Sequence, residues 1–206
     1  MSNVQSVDLT ELALNYDDKR RMEPQDFERL INCIRHYGKV EGDVLEIGCG
    51  SGCYLVPLAQ RLSKASSYGV DITDAMLASA KGKLNRQALT NLSLAKGNAH
   101  CLPLADHAFD FMLLSQVVHY FENLPMVIAE VYGVVKPRAR VLVITSSHLQ
   151  MKSRLDIALF PGLAKRDMAR IPRWKRLDTS LRVVALRYWL LLSLLLHLDS
   201  HLSKHW

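Results

Sequence analysis

Cysteine is scarce in this chain: four residues among 206, Cys33, Cys49, Cys53 and Cys101, with no paired CxxC spacing. A chain of this length buries enough apolar surface to fold without disulfide staples, which excludes a disulfide-rich secreted scaffold. Cys49 and Cys53 stand four apart, but no Cys or His nearby completes a ligand set, so no metal site is expected. Glycine and proline are also few, ten and seven, which excludes a linker or low-complexity protein. No basic segment followed by an apolar run opens the sequence, so no signal peptide is expected and the reduced thiols point to the cytoplasm. The leucine-rich run at 188–196 has nine residues, well short of the roughly 18–20 that span a bilayer.

Hydrophobic residues make up 49% and charged residues 22%, the balance of one globular domain rather than a disordered tail. The net charge of +6 hides an asymmetry. Residues 1–135 hold 12 Lys/Arg against 16 Asp/Glu, whereas residues 136–206 hold 14 against 4. A basic last third suits phosphates, anionic lipid or an acidic partner, or is simply a solvated face.

Between 40 and 146 short apolar runs alternate with amphipathic stretches. Strands are expected at 43–47, 68–72, 92–95, 109–114 and 140–144. Helices are expected at 53–62, at 75–89 with Asp74 as cap, and at 124–135. Regular alternation implies a parallel sheet covered on both faces, a Rossmann-like three-layer αβα sandwich. Ahead of it Pro24 opens a helix, and Phe27, Leu30, Ile31 and Ile34 recur at helical spacing. Three segments result: a helical cover at 1–39, the α/β core at 40–146, and a divergent basic, Leu-rich segment at 147–206.

The chemistry-bearing signal is Glu46-Ile47-Gly48-Cys49-Gly50-Ser51-Gly52 between a strand and a helix. Glycines there allow a sharp turn and close approach of a ligand to backbone. A dinucleotide fingerprint would need glycine at Cys53, and a phosphate loop would need a following Lys; neither is present. The pattern suits a ligand whose amino-acid portion lies against the loop. Asp71 follows Gly52 by 19 residues at a strand end, where a carboxylate can accept from both ribose hydroxyls. Asn98 with Ala99, and Ser115 through His119, follow the third and fourth strands. Open α/β sheets place ligands at these carboxyl ends.

In this order and spacing the segments resemble class I S-adenosylmethionine-dependent methyltransferases of the small-molecule, quinone-biosynthesis kind. Carrying the resemblance are 44–52, Gly69-Val70-Asp71-Ile72-Thr73, Gly97-Asn98-Ala99 with Leu102-Pro103-Leu104, Phe109-Asp110, and Glu130 leading into Val134-Val135-Lys136-Pro137. The resemblance implies S-adenosyl-L-methionine as cofactor and a small-molecule methyl acceptor. It places Gly48, Gly50 and Gly52 against the methionine part, with Glu46 positioning the loop or the ligand's amino group, Asp71 on the ribose, Ile72 on the adenine face, Asn98 and Ala99 at the adenine edge, and Cys49 and Ser115 also in the cofactor site. His119, past the fourth strand, is the candidate general base; a histidine at a helix start without chemistry is the plainer reading. Tyr16 is a candidate lid over the cofactor.

Two departures carry expectations of their own. Asn98 stands where the family has Asp, and its side-chain oxygen is expected to accept from the adenine amine with weakened binding. Lys136-Pro137-Arg138-Ala139 replaces a Lys-Pro-Gly-Gly turn, and because Arg and Ala disfavour positive φ a different turn shape is expected. After Thr145 the resemblance fades, and the family's closing strand pair is expected to be missing or replaced by helix. The Leu run would then cover a sheet edge, form a dimer surface, or meet a membrane surface. A non-catalytic cofactor-binding or scaffold protein is the alternative reading. A nucleic-acid methyltransferase is a third, disfavoured because no Asn-Pro-Pro-Tyr-type motif follows the fourth strand.

Overall fold

The computed structural model describes residues 24–38, 42–145, 181–186 and 189–195. Tyr16 and the basic stretch at 165–176 lie outside the described residues. In chain order the elements are α1 (Pro24–Gly38), β1 (Val44–Ile47), α2 (Leu55–Arg61), β2 (Ser67–Asp71), α3 (Asp74–Arg86), β3 (Leu92–Lys96), β4 (Phe109–Ser115), a 3-10 turn (Val118–Tyr120), α4 (Leu124–Val134), β5 (Val135–Thr145), β6 (Leu181–Leu186) and β7 (Trp189–Leu195). The sheet runs β3-β2-β1-β4-β5-β7-β6. Strands β1 to β5 are mutually parallel.

The near-continuous apolar runs of β4 and β5 follow from burial on both faces. Met112 and Leu114 join Val141 and Val143 in one cluster beneath Val127, Val131 and Val134 of α4. Phe111 and Leu113 join Leu142 and Ile144 in the other, beneath Leu58 of α2 and Leu30, Ile31 and Ile34 of α1. The amphipathic stripe expected of the amino-terminal helix is therefore a layer of the same core. Helix α3 begins at Asp74 with Thr73 as its N-cap, one residue earlier than the capping expectation. Asn123 caps α4 by accepting from the Met126 amide at 3.1 Å, satisfying one of the helix's orphan donors.

Two expectations are corrected. The closing strand pair is present: β7 pairs antiparallel with β5, Arg140 opposite Leu195 through Thr145 opposite Leu190, and β6 pairs antiparallel with β7. The Leu run thus lies between two strands. A short apolar run has no period that separates strand from helix. The turn at 136–139 also differs from its expected form, because Arg138 does adopt a positive φ of 68°. Phe109 pairs with Val135 and Phe111 with Arg140, so the extra residues on β5 must bulge outward. Lys136 pins that bulge through a 2.7 Å ion pair with Asp110, and the bulge imposes the left-handed residue that propensity alone disfavours.

Candidate active site

At the carboxyl ends of β1, β2 and β4 the chain converges on the loop Gly48–Gly52. Its backbone is fixed by bonds from the Gly48 and Cys49 amides to the Val70 carbonyl, 2.7 and 3.1 Å, and from the Gly52 amide to the Cys49 carbonyl, 2.9 Å. Gly48, Gly50 and Gly52 have φ of 70°, 54° and 77°, a region costly for any side chain. Space separates their roles. A Cβ on Gly48 would meet Val117 Cγ2 at 2.3 Å and one on Gly52 would meet Val56 Cγ2 at 2.8 Å, whereas one on Gly50 would meet nothing within 4 Å. Gly48 and Gly52 are close-packing glycines; Gly50 borders open space.

Asp71 stands beside that space. Its Oδ2 accepts from the Gly50 amide at 2.8 Å and its Oδ1 from the Thr73 amide at 2.9 Å. Each carboxylate oxygen keeps a further lone pair for a ligand hydroxyl. The next residue, Ile72, is 57% exposed, an apolar side chain at a strand end with nothing over it. An open glycine, an acceptor carboxylate and an uncovered apolar face therefore lie in succession along one rim.

Glu46 is fully buried under the loop and accepts a hydrogen bond from the Ser115 hydroxyl. Its Oε2 has no partner. Burial in low dielectric pushes its carboxyl up to about 8; the Ser115 bond opposes the rise and the Asp71 charge adds to it. Cys49 lies in the loop, but its thiol packs with Leu55, Val56, Ala59 and Leu92. Desolvation, then the Glu46 and Asp71 charges, raise it further from ionisation, so it behaves as a small core hydrophobe.

On the β3 side Asn98 Oδ1 accepts from the His100 amide and faces His100 Nδ1, both at 3.0 Å. His100 Nε2 accepts from the Asn123 amide at 3.3 Å, so Nδ1 carries the ring proton and donates to Asn98. Ala99 packs on the core cluster under α4. Past β4, His119 sits in the 3-10 turn with its ring 4.2 Å from that of Tyr120. The sequence reading placed Gln116 in the stretch Ser115 through His119 but missed its φ of 52° and the bridging role of His100. Neither residue type nor spacing marks a strained backbone or a bridge between two loops.

Among the described residues, no helix is long and apolar enough to cross a membrane and no cluster of three metal-ligating side chains exists. The fold is that of solved S-adenosylmethionine-dependent methyltransferases. A protein of that description from Methanococcus maripaludis superposes with a TM-score of 0.72 at 14% identity, covering 97% of this chain and 98% of that one. One from Aquifex aeolicus gives 0.58 at 20% identity, covering 84% and 98%. Demethylmenaquinone methyltransferase of Lactococcus lactis is 29% identical over 56% of this chain and 46% of its own length. Malonyl-[acyl-carrier protein] O-methyltransferase of Methylococcus capsulatus is 28% identical over 62% and 46%. The chain spans just under half the length of these curated relatives. Residues 45–143 match the methyltransferase domain family, and the glycine loop and Asp71 lie within that span.

Proposed function

We propose that the chain is an S-adenosylmethionine-dependent methyltransferase acting on a small molecule. The observation that carries this reading is the open space at Gly50, bordered by the Asp71 carboxylate and followed by exposed Ile72. These residues fit the cofactor's methionine, ribose and adenine parts in order. When bound, the cofactor supplies an electrophilic methyl group on a sulfonium. Because that group is already activated, the protein contributes mainly proximity and alignment.

Gly50 leaves room along the loop while Gly48 and Gly52 let it pack closely on Val117 and Val56, Asp71 accepts from the ribose hydroxyls, and Ile72 lies on the adenine face. Asn98 and Ala99 border the adenine edge. Since Asn98 Oδ1 is engaged by His100, its amide nitrogen is the atom that remains to meet the base, a donor where the family's Asp is an acceptor. Ser115 acts through Glu46, holding its carboxyl under the loop. His119 accepts a proton where the nucleophile carries one. The relatives are named for demethylmenaquinone and for malonyl-[acyl-carrier protein], and a small acceptor group is carried over from them.

Calorimetry with S-adenosylmethionine and S-adenosylhomocysteine tests the assignment, followed by a methyl-transfer screen against phenol, quinol and amine pools. Saturable binding of both with turnover of one pool is expected. Absence of binding overturns the reading, and binding without turnover of any pool returns the scaffold alternative.

A further inference from the structure

Two buried polar side chains at the carboxyl ends of β4 and β5 have no partner: Gln116 through Nε2 and Thr145 through Oγ1. Gln116 is 7% exposed and Thr145 0%. The strands bring them together, because Ser115 pairs with Ile144 and the Gln116 amide donates to the Ile144 carbonyl at 2.7 Å. Leaving such groups without partners costs free energy that a folding-only sequence would avoid. Gln116 carries a second cost in its φ of 52°, a backbone state non-glycine residues hold where surrounding structure and function require it. Its neighbour Val117 packs against Gly48, so the pair adjoins the start of the cofactor loop.

We propose that Gln116 and Thr145 form a hydrogen-bond donor pair that recognises an oxygen atom of the methyl acceptor. This rests on the methyltransferase reading and narrows its substrate class to molecules presenting a carbonyl, carboxylate or phenolic oxygen close to the methylated atom. A carboxamide N–H and a hydroxyl can both donate to one such oxygen, and neither charge nor metal is needed to hold it. The binding of that oxygen would satisfy both groups at once. Apolar acceptors of the same shape would leave both unpaired and be rejected, the asymmetry that makes hydrogen-bonding sites selective.

The test uses phenol as probe and toluene as its oxygen-free counterpart, on the full chain saturated with S-adenosylhomocysteine, together with Thr145→Val and Gln116→Met. Failure of the wild type to bind S-adenosylhomocysteine overturns the methyltransferase reading and this inference with it. With that binding present, phenol is expected to bind saturably and at least about tenfold more tightly than toluene, a preference lost in either variant. Both variants are expected to bind S-adenosylhomocysteine as the wild type does and, without ligand, to melt roughly 2–4 °C higher because an unpaired polar group has been removed. Equal affinity for phenol and toluene in the wild type, or phenol binding unchanged in both variants, overturns the donor pair. A lower melting temperature in both variants overturns it too, by showing that the two groups serve the fold alone.

Discussion

The carboxylate of Asp71 and the amide of Gly50 are joined by a 2.8 Å hydrogen bond. One residue thereby shapes the glycine loop and offers the remaining lone pairs to a ligand. Asp71→Ala is expected to weaken S-adenosylhomocysteine binding by about 1–3 kcal/mol, the cost of hydroxyls left without a charged acceptor. Asp71→Asn retains one acceptor oxygen and should fall between the wild type and Asp71→Ala. Calorimetry on the three proteins checks the order, and NADH serves as the control expected to show no saturable binding. Equal affinity across the series removes Asp71 from the site.

Gly50 and Gly52 share positive φ but differ in what surrounds them, and their alanine variants should diverge. Both incur about 1–2 kcal/mol of left-handed strain. Gly52→Ala additionally drives a methyl group into Val56 at 2.8 Å and Ala80 at 3.3 Å, so its melting temperature should fall further. Gly50→Ala meets nothing within 4 Å and should stay folded, while Gly50→Val fills the cradle and abolishes S-adenosylhomocysteine binding. Thermal melts paired with calorimetry separate the two effects. A Gly50→Val protein that is folded and binds normally would show that the open space is not the cofactor's.

Much of this arrangement was legible in residue order. Gly48, Gly50, Gly52 and Asp71 report backbone shape and a strand end directly, because few residue types serve there. The β4 and β5 runs read as buried strands because both faces are covered. The carboxyl end was less legible: the apolar run of Trp189–Leu195 has no period that separates strand from helix, and no turn or glycine loop beside it indicated a sheet. Arg138 was illegible because its φ comes from the bulge opposite Asp110, not from its own preference. Cys49 was placed at the site by its position in the loop, whereas its side chain turns to the core.

Glu46 gives the molecule a stability that depends on pH in an unusual direction for a carboxylate. Its carboxyl is raised from 4.5 to about 8 in the folded protein by burial, so between these values the native state binds more protons than the unfolded one. Stability contributed by this group is complete below the unfolded value and is lost as pH rises toward about 8. Unfolding free energy measured from pH 5 to 9 should therefore decline in the wild type by an amount on the order of a few kcal/mol, and the melting temperature with it. Glu46→Gln, which stays neutral, should flatten that part of the curve. Identical slopes in the two proteins would mean that Glu46 is ionised in the fold.

His100 ties the loop after β3 to the start of α4, donating from Nδ1 to Asn98 and accepting at Nε2 from the Asn123 amide. Its ring also meets Phe121 edge-on at 6.1 Å. The bridge joins Asn98, at the proposed adenine edge, to the segment that follows His119, so loss of one end should be felt at the other. His100→Ala removes two hydrogen bonds that are partly exposed, and a loss of about 1 kcal/mol of stability is expected. Hydrogen exchange gives the sharper readout. The Asn123 amide loses its acceptor in the variant and should exchange faster, while the Met126 amide, held by the Asn123 side chain at 3.1 Å, should accelerate less. In the wild type, S-adenosylhomocysteine should slow exchange at Asn123 by ordering Asn98 and His100 beneath the adenine. The same addition to His100→Ala should leave Asn123 unaffected. Slowing of Asn123 to the same degree in both proteins would show that the adenine side and α4 communicate by some route other than this ring.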